Sequence, residues 1–130
     1  MDRRLFITLL AFAPSAALAK EGEEKKKGGG ANYIQIPVLT ATITRADGRR
    51  GVLTVETGVD IPDKKLRELA DASTPRLRAA YANVVMTYGA SLSAGSVPNA
   101  DYLSRELQRQ TDLVLGRPGA RLLLGTILVN

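Results

Sequence analysis

The 130-residue sequence contains no cysteine and no histidine, and only 5% of its residues are aromatic. Without cysteine the chain can form neither disulfides nor thiolate metal sites, so its fold must rely on packing. Without histidine it lacks the commonest general base and metal ligand near neutral pH. These absences remove the usual parts of most hydrolases and metalloenzymes. They favour a protein that is not an enzyme and that uses no cofactor.

The first 19 residues have the pattern of a secretory signal peptide. A basic start precedes an apolar run that ends in the small-residue cleavage site Ala17-Leu18-Ala19. This run contains Pro14 and is shorter than the roughly 20 residues that cross a bilayer, so we favour cleavage over a permanent anchor. Arg3-Arg4-Leu5-Phe6 partly matches a twin-arginine signal, and both export routes stay open. We therefore predict a periplasmic protein.

Residues 20–32 are predicted to be a flexible linker. The stretch from Lys20 to Gly30 contains only charged residues and glycine, so it has no apolar side chain to bury. One folded domain should then span residues 33–130. The formal net charge of +5 favours an acidic protein partner or, at most, peripheral contact with an anionic membrane, rather than nucleic acid.

Two segments with alternating apolar residues predict a β-hairpin. In residues 33–44 the apolar face switches near Pro37, which indicates either a bulge or a strand that begins just after the proline. Proline has no N–H for a ladder, so this part should lie at a sheet edge. Asp47-Gly48 suits a tight turn because glycine adopts positive φ without strain. Residues 51–61 alternate again, which predicts an antiparallel pair with one solvent-facing side.

Two helices follow in the pattern. Asp60 or Asp63 can accept hydrogen bonds from the free N–H groups of a short first helix. Thr74, directly before a proline, is predicted to cap a second helix that runs to Leu92. A single kinked helix from Asp63 onward would give almost the same pattern. This second helix has the strongest amphipathic stripe of the chain, so it should form the centre of the core. Its inward residues are predicted to be Leu77, Ala80, Tyr81, Val84, Val85, Tyr88 and Leu92.

A third helix and a last strand complete the domain. Asn99 can cap a helix over residues 100–115, and Gly116 should end it. Residues 120–130 form an apolar run that barely alternates, which is typical of a central strand covered on both faces. The sequence therefore predicts an α+β fold of order β-β-α-α-α-β, in which helices pack on one face of a small antiparallel sheet.

The candidate functional residues are arginines. No paired carboxylates, metal-ligand spacing or phosphate-binding glycine loop can be assembled, so no catalytic, cofactor-binding or metal residues are predicted. Arg49 and Arg50 flank the hairpin turn, and Arg76 and Arg78 begin the second helix, where positive charge is unfavourable. These four are our candidates for binding an acidic protein partner. Solvated surface is the alternative interpretation.

The order of these elements resembles the periplasmic domain of the flagellar basal body-associated FliL family. The resemblance rests on Tyr33-Ile-Gln-Ile-Pro-Val-Leu-Thr, the Asp-Gly-Arg-Arg turn, the Pro-Arg-Leu-Arg helix break and the terminal Leu-Leu-Leu-Gly-Thr-Ile-Leu-Val-Asn strand, and it spans residues 33–130. It implies a stomatin-like module that forms homo-oligomers and supports the flagellar stator without catalysis. Family members carry a transmembrane helix where this chain has a signal peptide, so a free periplasmic relative is equally open.

The sequence thus supports two hypotheses. The first is an exported, non-enzymatic interaction or assembly module that binds protein partners in the cell envelope. The second is a periplasmic small-ligand-binding protein or enzyme that uses the loop from Leu92 to Pro98. A deep polar pocket beside that loop would favour the second hypothesis. A filled core with an exposed self-complementary face would favour the first.

Overall fold

The structure is a computed structural model that describes residues 30–130, of which Asn32–Asn130 form one compact unit. The predicted signal peptide and linker residues 20–29 lie outside the described residues. Six elements follow one another in the order predicted, which confirms the mixed α+β architecture. They are β1 (Tyr33–Thr44), β2 (Arg50–Asp60), α1 (Lys64–Ala72), α2 (Thr74–Ser91), α3 (Ala100–Leu115) and β3 (Arg121–Val129).

The sheet is antiparallel with strand order β1-β2-β3. The predicted hairpin turn is present: Gly48 has φ 83°, and the Arg45 N–H donates to the Arg49 carbonyl at 2.7 Å. The predicted bulge lies between Ile36 and Leu39. Because the bulge switches the alternation, both of these residues are buried on the same side of the sheet.

The prediction that the last strand is central was wrong. Among residues 30–130, β3 pairs with β2 alone and forms an edge of the sheet. Leu122 is its one buried residue, while the others are half-buried or exposed. A continuous apolar run indicates that both faces need cover, but the helices of this domain cover only one face and only part of the strand. The apolar residues on the other face therefore meet solvent.

The helix ends largely follow the sequence. Asp63 caps α1 by accepting from the Leu66 N–H at 2.8 Å, and Asn99 caps α3 by accepting from the Tyr102 N–H at 3.0 Å. Gly116 ends α3 with φ 81°. The predicted cap at Thr74 was wrong, because the N-cap of α2 is the preceding residue, Ser73.

The short gap between α1 and α2 explains this difference. The Ser73 N–H still bonds to the Leu69 and Ala70 carbonyls at the end of α1, so helical geometry continues almost without a break. Thr74 already lies in α2, and its hydroxyl donates to the Ala70 carbonyl at 3.2 Å. The Thr74 hydroxyl is therefore directed back toward α1, and α2 begins without a side-chain cap bond.

The core lies between the sheet and the helices. From α2, Leu77, Tyr81 and Val85 are fully buried, and from α3, Leu103, Leu107 and Thr111. Four predicted inward residues are only half-buried: Ala80, Val84, Tyr88 and Leu92. The end of α2 approaches β1 so closely that a Cβ at Gly89 would lie 3.1 Å from the Ala41 side chain. Within residues 30–130 no helix has the length and apolar character needed to cross a bilayer.

Candidate functional site

The four candidate arginines do not form one site. Arg49 and Arg50 lie at the hairpin end of the sheet, which is the end where Gly89 of α2 packs on β1. Arg76 and Arg78 begin α2, thirteen and eleven residues earlier in the helix, and a rise of 1.5 Å per residue separates Arg76 from Gly89 by about 20 Å. The two pairs therefore face different ends of the domain.

Arg76 has a structural role. Its guanidinium donates from Nη2 to the Ser73 hydroxyl at 3.2 Å and to the Val114 carbonyl at 3.3 Å, in the last turn of α3. Positive charge is favourable at a helix C-terminus, so α3 compensates for the unfavourable position of Arg76 in α2. The argument from the helix field to an external acidic partner therefore does not hold for Arg76. Arg78 makes no side-chain hydrogen bond or ion pair within residues 30–130.

The outer edge of β3 is covered at its start by Gln108 of α3. The Gln108 amide donates to the Ala120 carbonyl at 2.8 Å and accepts from the Leu122 N–H at 2.9 Å. These two bonds replace those that a neighbouring strand would make. The amide also donates to Asp112 at 3.1 Å, which fixes its orientation. The first part of β3 is therefore protected from pairing with another chain.

The last part of β3 has no such cover among residues 30–130. Val52 and Asn130 exchange N–H···O bonds at 3.0 and 3.1 Å. This pair determines which residues of β3 direct their backbone groups toward β2. Since hydrogen-bonded pairs alternate along an antiparallel ladder, Leu128 also faces β2, while Ile127 and Val129 turn their backbone groups outward. A bulge opposite Glu56 separates this short edge from the part that Gln108 protects.

Apolar side chains surround this uncovered edge. Leu128 lies diagonally opposite Val52 on the outer face of the sheet, and Val129 and Val97 line the same groove on the inner side. We call these four residues the strand-end patch. Val52, Val97, Leu128 and Val129 are 42, 85, 47 and 41% exposed, respectively. An exposed apolar cluster around unpaired strand backbone is typical of an interaction surface.

The groove beside the patch lies next to the loop that joins the end of α2 to the start of α3. Its volume is about 710 Å³. The walls come from the ends of β1 and β3 and from the loop, and Arg45 is the single charged residue among them. The Arg45 guanidinium lies 3.5 Å from the Asp47 carboxylate. The walls of the groove are therefore polar and apolar in similar measure, and they carry one partly neutralised cation.

The pKa values of two tyrosines are raised, and neither tyrosine borders the strand-end patch. Burial raises the pKa of Tyr81, and the nearby Asp112 carboxylate adds to this, while the hydrogen bond with Thr111 opposes it. Partial burial and the Glu56 carboxylate raise the pKa of Tyr33, whose ring lies over Gly58 on the outer face of the sheet. Both groups stay protonated at neutral pH, so they act as neutral hydrogen-bonding or packing groups there.

The sequence did not point to Gln108, Leu128 or Val129 as members of a site. The available signal was the last apolar run, whose lack of alternation showed a need for cover on both faces. Within residues 30–130 no group of three acidic side chains is placed to hold a metal ion. Neither the protein-family models nor the curated proteins contain a match to this chain.

Proposed function

We propose that this chain is an exported, non-enzymatic assembly module that binds protein partners in the cell envelope through the end of β3. The observation that carries this proposal is the strand-end patch, in which apolar side chains flank outward-facing backbone groups on both sides. Such a strand can gain backbone hydrogen bonds and bury apolar area in a single contact. The surface is suited to extending the sheet.

The hairpin arginines extend the same surface. Arg50 and Val52 lie on one face of β2, two residues apart, so cationic and apolar contacts are adjacent. Arg49 and Arg50 form no side-chain ion pair within residues 30–130, since Asp47 contacts the Arg45 side chain and only the backbone N–H of Arg49. They would attract an acidic group of the partner and orient it toward the patch. Arg76 and Arg78 face the opposite end and would not contribute.

The resemblance to the FliL periplasmic domain suggests which partners to examine first. Under that resemblance the flagellar stator is the candidate partner, and a flagellar role and a free periplasmic role make different predictions. A flagellar module should co-purify with stator components. A free relative should recover other envelope proteins through the same surface.

The test is recovery of partners by the exported chain after chemical cross-linking in cells. We expect Leu128→Lys to lose the recovered proteins, because a lysine in the patch would have to be desolvated on binding. Leu113→Lys is the matched control, since Leu113 lies on α3 outside the patch and is 62% exposed. Equal recovery by both variants, or no partner with the wild-type chain, would overturn the proposal.

Binding of a small amphipathic ligand is a second candidate, and the 710 Å³ groove favours it. Mixed polar and apolar walls that include Arg45 suit an anionic group attached to a hydrocarbon chain. We would titrate the full chain with decanoate and follow its thermal unfolding. A saturable rise in the unfolding temperature that Arg45→Gln reduces would support ligand binding, and no rise at millimolar decanoate would exclude this candidate.

A further inference from the structure

We propose that the occupant of the strand-end patch is a second copy of this chain, paired antiparallel through β3 so that the two sheets form one six-stranded sheet. This inference rests on the proposed function, because it names one partner for the same surface. Three observations carry it: the short open edge, the absence of charge along it, and the placement of charges beyond its two ends.

The open edge sets the register. Ile127 and Val129 present outward backbone groups, whereas Leu128 bonds inward to β2. A two-fold axis beside Leu128 places Ile127 of one copy opposite Val129 of the other. The same axis places Val129 of the first copy opposite Ile127 of the second. Each of these pairs exchanges N–H···O bonds on both sides, so all outward groups of the segment are satisfied. Other two-fold registers would bring the bulge before Ile127 into the ladder or leave one of the two residues unpaired.

Charge permits this pairing of identical strands. No charged residue occurs between Leu122 and Asn130, so like charges do not meet across the two-fold axis. The axis brings the hairpin end of one copy, with Arg50, toward the Glu56 end of the other copy. Both of these side chains lie on the outer face of the sheet. Because the two β2 strands are then three strand spacings apart, about 14 Å, Arg50 and Glu56 of the other copy attract each other only weakly. The main effect of the arrangement is to keep the two arginine ends apart.

The two faces of the strand also fit. On the outer face, Leu128 would lie directly opposite its own symmetry mate, at the closer spacing of a pair that is not hydrogen-bonded. On the inner face, Val129 and Val97 border the groove, which can accept apolar side chains of the second copy. The proposed ladder involves only three strand residues of each copy, so the contact should bury less than the roughly 1,200–2,000 Å² of a standard protein interface. We therefore expect a micromolar rather than a nanomolar dissociation constant.

The absence of native cysteine allows a direct test of the register. In the full-length chain, Leu128→Cys should form a disulfide-linked dimer under mild oxidation at micromolar concentration. Val52→Cys is the control, since Val52 lies on the same face and is similarly exposed but sits on β2, one strand from the axis. Reversible dimers at Leu128 but not at Val52 would support the pairing, and equal cross-linking at both would overturn it.

Sedimentation velocity over a range of chain concentrations tests the backbone ladder. Ile127→Pro removes an outward N–H without breaking a bond to β2 and should raise the dimer dissociation constant about tenfold or more. Thr42→Pro is the matched control on the other edge, because the Thr42 N–H also points away from β2. We expect this control to dimerise like the wild type. If Ile127→Pro fails to fold, Leu128→Lys serves in its place.

The outcomes separate this inference from the proposed function. A monomeric wild-type chain that still loses its cross-linked partners with Leu128→Lys would overturn the second-copy inference and leave the assembly function standing. A monomer that recovers no partner would overturn both. A monomer in which the Ile127 amide resists hydrogen exchange would show that another segment of the same chain covers the edge, which also overturns the inference.

Discussion

The two outer strands of the sheet occupy equivalent positions beside β2, yet the helices cover them unequally. On β1, the inward residues Ile36, Leu39, Ala41 and Ile43 are all buried under α2. On β3, only Leu122 is buried, and the strand beyond the bulge is flanked by exposed apolar side chains. The inner face of β1 is therefore covered by its own domain. The end of β3 is left partly uncovered by residues 30–130.

The residues along the two edges also suggest that β1 is less suited to further pairing than the end of β3. β1 carries Pro37 at its bulge, and its outward residues Thr40 and Thr42 are polar, although Val38 beside the proline is 43% exposed. The proline and the polar residues reduce the tendency of this strand to pair further. β3 has its start covered by Gln108 and its end left apolar and uncharged. This contrast between a protected and an open part of one edge is the observation on which the proposed docking at the end of β3 rests.

The largest expected difference between the two strands is in core stability. Ile36→Ala should lower the free energy of unfolding by about 2–5 kcal/mol, because Ile36 is fully buried and its loss leaves a cavity. Ile127→Ala should cost about 1 kcal/mol, because Ile127 is half-buried and water can fill the space. Urea titrations at submicromolar chain concentration would measure both. Equal losses would mean that β3 is as well covered as β1.

A second comparison uses the two buried threonines. The Thr111 hydroxyl bonds to Tyr81 and donates to the Leu107 carbonyl at 2.7 Å, so Thr111→Val should cost about 1–2 kcal/mol. Among residues 30–130, Thr57 Oγ1 is buried without a partner, so Thr57→Val should stabilise the fold by up to about 1 kcal/mol. Calorimetry of both variants would check the opposite signs. A loss with Thr57→Val would reveal a partner for its hydroxyl.

Removal of the Gln108 amide should lengthen the open edge of β3. Gln108→Leu leaves the Leu122 N–H and the Ala120 carbonyl without their bonds, at a cost of about 1 kcal/mol. We expect faster hydrogen exchange at Leu122 and stronger self-association, since more backbone can pair. Gln110→Leu is the control on the same helix. Unchanged exchange at Leu122 would show that Gln108 does not protect the strand.

How far the sequence predicted this architecture depends on the range of the interaction. Local signals predicted the turn at Gly48, the bulge near Pro37 and the caps at Asp63 and Asn99, because each depends on residues within one turn or hairpin. The cap of α2 was missed by one position, since Thr74 bonds back to α1 instead of forward. The continuous run in β3 showed that cover was needed but not which element would supply it. Gln108 could not be assigned to β3, because their contact depends on the packing of α3.

A smaller effect is expected on stability at alkaline pH, and it comes from Tyr81, which lies between α2 and α3. Burial raises the pKa of Tyr81, so the native state holds this proton more tightly than the unfolded chain. The contribution is constant below about pH 10 and is lost as the pH rises further, because the unfolded chain deprotonates first. Tyr81→Phe should therefore lose less stability between pH 9 and 11 than the wild type, as measured by urea midpoints. A slope for Tyr81→Phe identical to that of the wild type would contradict the assignment.

The smallest effect separates the two arginines at the start of α2. Arg76→Gln should cost about 0.5 kcal/mol, because it removes a charged donor from the Val114 carbonyl at the end of α3. Arg78→Gln should change stability by no more than about 0.3 kcal/mol. If both residues act only within this domain, neither change will alter partner recovery or self-association, whereas Leu128→Lys will. A loss of partner with Arg78→Gln would show that the far end of the domain also binds, and would assign it a second contact surface independent of β3.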